Sequence, residues 1–533
     1  MGRRAPEYLE SSPGHSPMDS PILTQLLRQL FRHPACQSQR LTRPVASTAT
    51  ATAKSSTCNS RRCFSTQQRR PQRHRQSEEY TRGSKTAIQK ESHWQQRQDL
   101  VSADRSAEFA SYPTVTAAEL RHRHERPRKV KMLTRDFIQD SLYNPNYGYF
   151  SKQVVIFSPG EPFDFPALRD ENDFHSLLSQ RYTDFEDDLD STQPSDTRQL
   201  WFTPTELFRP YYGEAIARYL MANYVLTSYP YHDLIIYEMG AGRGTLMLNI
   251  LDFIRDTEPS VYDRTKYRII EISSSLAEMQ NRQLRSSAAA RGHADKVEII
   301  NRSILDWAQP EPSPCFFLAF EVFDNFSHDC IRYDLATEQP MQGTVLIDHR
   351  GDFFEFYEPK LDPLAERFFR VRHAATGGRY ETPYPANRLL RKLKLGMPFA
   401  HNLSKPEYIP TSLMQFFEVL DRYFPAHRLV TSDFHWLPDA TPGLNAPIVQ
   451  TRYQRRPVPV TTPLVHQGYF DIMFPTDFTV MEKMYQAITG RLSRVSTHED
   501  FMRRWAYVDE TRTRSGENPM LSWFKNASVM TTL

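Results

Sequence analysis

One short segment constrains this chain more than any other. Leu234-Ile235-Ile236-Tyr237 is an apolar run of strand length that ends in Glu238, and Gly240, Gly242 and Gly244 follow it closely. Thr245–Ile254 then shows helical spacing, so the glycines join a strand to a helix. Glycine there permits positive φ and close backbone approach to a ligand, and the helix start beyond offers free N–H groups. The spacing also selects. A dinucleotide fingerprint, Gly-x-Gly-x-x-Gly, would need its third glycine at position 245, which is Thr245. No Gly-Lys-Ser/Thr follows, so a phosphate-cradling P-loop is excluded as well.

The alternation recurs along the chain. Tyr267–Ile270 ends in Glu271 and precedes a helix reaching Leu284, while Val297–Ile300 and Cys315–Phe320 read as third and fourth strands. Pro210–Tyr224 is predicted as a helix, with Ile216, Leu220 and Met221 on one face. Strands alternating with helices predict βαβ units and a parallel sheet. Beyond Met341 the pattern becomes β-rich, over residues 343–347, 352–357, 428–432, 447–453 and 468–474. Such later strands are expected to close the sheet with an antiparallel edge. No apolar stretch approaches the roughly 18 residues of a membrane span, and no heptad or longer repeat recurs.

Charge is divided unevenly. Between Ser20 and Ser77 ten Arg and one Lys stand without an acid, and residues 1–19 carry −1, so the formal +3 of the whole chain leaves −7 for residues 78–533. The body has no basic excess that would argue for nucleic acid. An amphipathic, Arg- and Ser-rich, acid-poor N-terminus is the composition of a mitochondrial transit peptide. We assign residues 1–65 to it, with processing near Phe64; a basic arm binding nucleic acid or lipid is the alternative. Cys36, Cys58 and Cys63 lie in this leader, and Cys315 and Cys330 alone cannot build a disulfide framework or a cysteine zinc site. Residues 66–128 read as a polar disordered linker, with order expected from about Lys131. Residues 151–200 hold ten acids between Glu161 and Asp190 against Arg169 and Arg181, and are expected to form a solvated, loop-like insertion.

The strand ends carry the candidate chemistry, because open α/β sheets bind ligands at their carboxyl edge. Glu271 is placed to accept from a ribose diol, and Asp306, after the third strand, either accepts from an adenine amino group or caps a turn. Glu321 and Asp324, after the fourth strand, would both face the crevice if a turn starts there. A guanidinium, with a pKa above about 12, is protonated and a poor nucleophile. Two carboxylates can hold its N–H fork and draw its charge away from the attacking nitrogen. The alternative reading is strand-end capping. His328 is either a proton acceptor or a surface histidine.

Taken together these residues resemble the MidA-type mitochondrial class I methyltransferases, over about residues 131 to 480. Phe137–Phe150 is similar to the family's opening segment, and Thr203-Pro204-Thr205-Glu206 with Tyr212-Gly213-Glu214 to its cofactor segment. Glu238–Leu246 is similar to its glycine loop, Glu271-Ile272-Ser273 to its Glu-x-Ser, and Glu321–Phe326 to its Glu-Phe-Phe-Asp segment. Asn445–Val449 and Gly468–Phe478 are similar to its C-terminal strands. The resemblance implies an α/β, Rossmann-like class I methyltransferase sheet with helical and β-rich insertions over residues 129–533. It implies S-adenosyl-L-methionine as methyl donor, held by Thr203, Gly213, Glu214, Glu238, Gly240, Gly242, Gly244, Glu271 and Asp306, with Glu321 and Asp324 as the catalytic pair and no metal. It further implies the mitochondrial matrix, a complex I subunit or assembly intermediate as protein substrate, and symmetric dimethylation of arginine in support of complex I assembly. An assembly chaperone that binds the donor without transferring methyl is the rival reading. An NAD-linked oxidoreductase is disfavoured by Thr245. Phe320 departs from the family's usual Asn or His, and the 203–214 segment is one residue longer than the family pattern.

Overall fold

The computed structural model describes residues 104–532 apart from 153, 290, 386, 388–401, 439 and 441–445. The assigned transit peptide, residues 66–103 of the linker, and Asn445 lie outside the described residues.

Seven strands form the central sheet: β1 (Leu234–Met239), β2 (Thr265–Glu271), β3 (Val297–Asn301), β4 (Cys315–Phe320), β5 (His427–Phe434), β6 (Ser493–Thr497) and β7 (Ala527–Thr532). Their spatial order is β6-β7-β5-β4-β1-β2-β3. The strands from β3 to β5 pair in parallel, whereas β7 runs antiparallel to both β5 and β6. This is the Rossmann-like α/β class expected from the sequence.

Alternate side chains of β1 go to opposite faces. Leu234 and Ile236 join one core with Leu246, Ile250 and Ile254 of the helix Thr245–Thr257. Ile235, Tyr237 and Met239 join the other with Phe416 and Leu420 of the helix Thr411–Tyr423. A strand covered on both faces is apolar throughout, which is why this one is legible as a continuous run. After β1, the chain lays β2 and β3 on one side and then returns to set β4 on the other. The carboxyl ends of β1 and β4 therefore flank the switch-point crevice where such sheets bind ligands.

Three expectations need correction. Of the β-rich stretch only residues 428–432 join the main sheet, as β5, and they pair in parallel with β4 and form no antiparallel edge there. Pro340–Ile347 and Phe353–Glu358 belong to a separate antiparallel sheet of five strands, and Ile448–Tyr453 and Asp471–Met473 to one of three. The antiparallel edge comes from β6 and β7, which lie beyond Gly490. Second, residues 151–200 are not a loop. They contain a 22-residue helix, Glu171–Thr192, capped by Asp170 and burying Phe174, Leu178, Tyr182 and Glu186. One buried residue every four positions among acids is too narrow a stripe to stand out as an amphipathic period. Third, packed structure begins before Lys131. Thr116 and Glu119 form a reciprocal capping box on the turn Ala117–Leu120, and Leu120 is fully buried.

Candidate functional site

The turn after β1 has positive φ at all three glycines: 71° at Gly240, 52° at Gly242 and 77° at Gly244. Gly244 is the left-handed N-cap of the helix Thr245–Thr257. A Cβ on Gly240 would stand 2.7 Å from Val322 Cγ1, and one on Gly242 would stand 2.6 Å from Ile156 Cδ1. Both distances are inside contact range. The glycine turn thus abuts the Glu321–Asp324 loop on one side and the acidic insertion on the other.

Two predicted acids lie beneath and beside this turn. Glu238 is buried on β1, where its Oε2 accepts from the Tyr267 hydroxyl at 2.7 Å. Glu271 ends β2, and its two oxygens accept from the Ser273 amide at 2.9 Å and the Gln280 Nε2 at 3.1 Å. Gln280 also donates to the Gly242 carbonyl at 2.9 Å, so one side chain ties the turn to the acid. Its buried Oε1 has no hydrogen-bond partner among the described residues. An unpaired buried acceptor is costly, and a ligand hydroxyl or amine would be the kind of group to satisfy it. The residues present fit S-adenosylmethionine: a turn with positive φ at all three glycines, a strand-end carboxylate for a diol, and an orphaned acceptor beside it. Gln280 escaped the sequence reading because no motif marks it.

The other predicted cofactor contacts spread out. Thr203 caps the short helix Pro204–Leu207 by accepting from the Glu206 amide at 3.3 Å. Buried Glu206 then accepts from the Thr245 hydroxyl, so this segment braces the helix start through Glu206, not Thr203. Gly213 lets two helices approach: a Cβ there would meet Asn249 Cβ at 2.5 Å. Glu214 turns to Arg218, 3.5 Å away, and its carboxyl also feels Glu510. Asp306 pairs with Arg121 at 2.8 Å on a half-exposed surface. The structure therefore groups Glu238, Gly240, Gly242, Gly244 and Glu271, and leaves Thr203, Gly213, Glu214 and Asp306 engaged in caps, packing and ion pairs.

Glu321 and Asp324 lie near enough for the Asp324 carboxyl to feel the Glu321 charge. Glu321 has φ 53°, a left-handed conformation unusual for a residue with a side chain. Its amide donates to the Ser432 carbonyl on β5 at 2.8 Å. Asp324 is 5% exposed, and its Oδ1 has no hydrogen-bond partner among the described residues. Burial drives both carboxyls well above the usual carboxylate range, and the nearby Asp433 drives them further.

Two acids that the sequence reading passed over complete the group. Asp433, the residue before the last of β5, has no exposure and accepts from the Phe323 amide at 2.7 Å. Asp471 accepts from Asn325 Nδ2 at 2.8 Å and is pushed up to about 7 by burial. Tyr143, from the opening segment, donates to the Asn325 carbonyl at 3.2 Å and stacks on Phe150. Asp433 carries the one signal that could have found it, an acid at a strand end. His328 is not a surface residue. It is buried, stacked on Phe474 at 3.7 Å, and held neutral by burial with a pKa pushed down to about 4.

Glu238, Glu271 and Asp471 share one consequence. Burial raises each to about 7, against roughly 4 in an unfolded chain. Their contribution to stability is full below about pH 4 and is lost as pH rises through about 7. The thermal midpoint is expected to fall from about pH 5 to about pH 8. Glu238→Gln keeps an acceptor for Tyr267 and removes one titration, flattening the fall by up to about 1.4 kcal/mol per pH unit. A Glu238→Gln profile as steep as the wild type would contradict this.

Comparison with known proteins follows the same lines. Residues 215–496, more than half of the 533, match the family of S-adenosyl-L-methionine-dependent methyltransferases. A Schizosaccharomyces pombe protein named protein arginine methyltransferase NDUFAF7 homolog, mitochondrial, is 27% identical over 387 residues, spanning 71% of this chain and 80% of its own. Its Saccharomyces cerevisiae namesake is 21% identical over 345 residues, spanning 60% of this chain and 77% of its own. A crystal structure of a Burkholderia thailandensis protein bound to S-adenosyl-homocysteine is 16% identical, with a TM-score of 0.48, and covers 82% of this chain and 95% of that one. The resemblance drawn from the motifs is thereby borne out at the level of the family. The chain belongs to the S-adenosyl-L-methionine-dependent methyltransferases, and S-adenosyl-L-methionine is its cofactor.

Proposed function

We propose that this chain is a mitochondrial protein-arginine N-methyltransferase that acts in the matrix on a complex I subunit or assembly intermediate, forms symmetric dimethylarginine, and supports complex I assembly. The names of its relatives supply the mitochondrial and arginine parts of that reading. The observation that carries the chemistry is Asp324 Oδ1: a buried, unpartnered oxygen in a set of carboxylates, at the switch point and against the glycine turn through Val322. A buried acid set with an open oxygen suits a cationic acceptor with several donors. Arginine presents its donors as a planar fork.

In this reading Glu238, Glu271 and the glycines Gly240, Gly242 and Gly244 hold the cofactor, with Gln280 bridging the turn and Glu271. The cofactor, when bound, supplies an electrophilic methyl on a sulfonium. Glu321 and Asp324 bind the guanidinium by its N–H fork, fix its plane, and draw positive charge away from the attacking nitrogen. Asp324 Oδ1 then takes the proton that the guanidinium must lose. Its raised proton affinity suits that step, whereas neutral His328, with a pKa near 4 and its ring on Phe474, does not. Burial of the carboxylates strengthens the electrostatic contacts by excluding water.

The test is methyl transfer from tritiated S-adenosylmethionine to mitochondrial proteins of cells that lack this chain. Glu321→Gln and Asp324→Asn are each expected to slow transfer by about 10²–10³-fold, with S-adenosylhomocysteine still raising the thermal midpoint. Mass spectrometry of the labelled protein is expected to find symmetric dimethylarginine. Undiminished transfer by both variants would sink the assignment. A double variant without transfer that still restores complex I assembly would favour the chaperone reading instead.

A further inference from the structure

The loop that carries Glu321 and Asp324 is an unusual piece of backbone. β4 ends at Phe320, opposite Ser432 in the register with β5. The next residue adopts φ 53° although it is not glycine, a strained conformation that persists only where the surroundings impose it. One side chain on the neighbouring strand holds the backbone that follows. Asp433 Oδ2 accepts from the Phe323 amide at 2.7 Å and its Oδ1 from the Phe434 amide at 2.7 Å. The amides of Val322 and Asp324 are also within its hydrogen-bonding reach. A single buried carboxylate thus gathers the backbone donors of residues 322–324 and of its own strand.

We propose that Asp433 is the positioning residue of the acceptor site: by collecting the 322–324 amides it holds the loop in its strained form and aims Glu321 and Asp324 at the acceptor. It does not touch the acceptor itself, since its oxygens are filled by backbone donors. Of the acids in this group it is Asp324 whose Oδ1 has no hydrogen-bond partner among the described residues. This inference rests on the acceptor role given above to Glu321 and Asp324. Asp433 has a second effect. Its negative charge faces Glu321 and Asp324, with Asp471 the other acid beside Asp324 and the Tyr143 hydroxyl close by, and like charges hold one another's protons on.

Asp433→Asn in the full chain separates positioning from general support. With the transfer assay above, kcat is expected to fall about 10²-fold, the scale of a small misplacement of reacting groups. The KM for S-adenosylmethionine and the thermal shift with S-adenosylhomocysteine should stay at wild-type values. Because the carboxylates must ionise to hold the guanidinium, the wild-type rate falls on the acid side. Removing the neighbouring charge should move that limb to lower pH. Asp433→Glu keeps the charge and displaces the oxygens, so it should lose rate with the limb unmoved, and it serves if Asp433→Asn does not fold. A wild-type kcat in either variant overturns the inference. So does a loss in Asp433→Asn that is equal at every pH or that abolishes S-adenosylhomocysteine binding. If Glu321→Gln and Asp324→Asn themselves transfer normally, the acceptor assignment fails first, and the failure is recognisable as that one.

Discussion

Arg452→Ala is expected to destabilise the protein by about 3–5 kcal/mol, the cost of stranding a buried partner charge. Arg452 meets Glu186 through two hydrogen bonds of 2.8 and 2.9 Å, and the two side chains are 7% and 5% exposed. Glu186 lies on the acidic helix Glu171–Thr192, and Arg452 on the strand Ile448–Tyr453, which pairs with the strand carrying Asp471. The pair therefore pins the acidic insertion to the sheet beside the acceptor acids. Arg455, 3.8 Å from the same carboxylate, offers partial relief. A midpoint lowered by roughly 10 °C is the expected reading by calorimetry. Replacing both partners, Arg452→Met with Glu186→Leu, should recover most of the loss, since a buried ion pair is often matched by apolar packing. A fall of only a degree or two in Arg452→Ala would mean that the helix is a dispensable appendage.

Gly242→Val is expected to abolish cofactor binding. Gly242 has φ 52°, and a Cβ there would stand 2.6 Å from Ile156 Cδ1. A β-branched residue tolerates that backbone poorly, and relieving it would shift the turn that carries the Gly242 carbonyl bonded to Gln280. In the wild type, ligand at 100 times its dissociation constant stabilises by about 2.7 kcal/mol, a rise of several degrees at roughly 2–4 °C per kcal/mol. Gly242→Val should show no such rise with S-adenosylhomocysteine. Gly490→Val is the matched control. Gly490 has φ 67° with nothing within 4 Å of its would-be Cβ, so it should lose stability yet keep the ligand shift. A full shift in Gly242→Val would remove the glycine turn from the cofactor site.

Much of the scaffold was legible because it is written locally. β1 and β4 are buried on both faces, so their apolar runs stand out in the sequence. The glycine turn needs positive φ at three positions, and glycine marks each of them. Glu238, Glu271, Glu321 and Asp324 were visible as acids at strand ends. The acidic helix was not, because only one residue per turn is buried and its anchoring charge, Arg452, lies 266 positions away.

What the sequence by itself determined is the set of local conformations: strand, turn, helix, and which acid ends which strand. What only the tertiary structure decided is which of those ends meet. Asp433 reaches the Glu321 loop across 110 positions, and Asp471 reaches Asn325 across 146. Neither encounter follows from periodicity, since the first depends on β5 pairing beside β4 and the second on a strand of a separate small sheet meeting Asn325. The same holds for Glu214 and Asp306, whose side chains were taken up by Arg218 and Arg121. The physical reason is range. Backbone preference and hydrophobic period act over a few residues and can be read there, whereas the proton affinity and role of a carboxylate depend on its burial and on neighbours brought from distant parts of the chain.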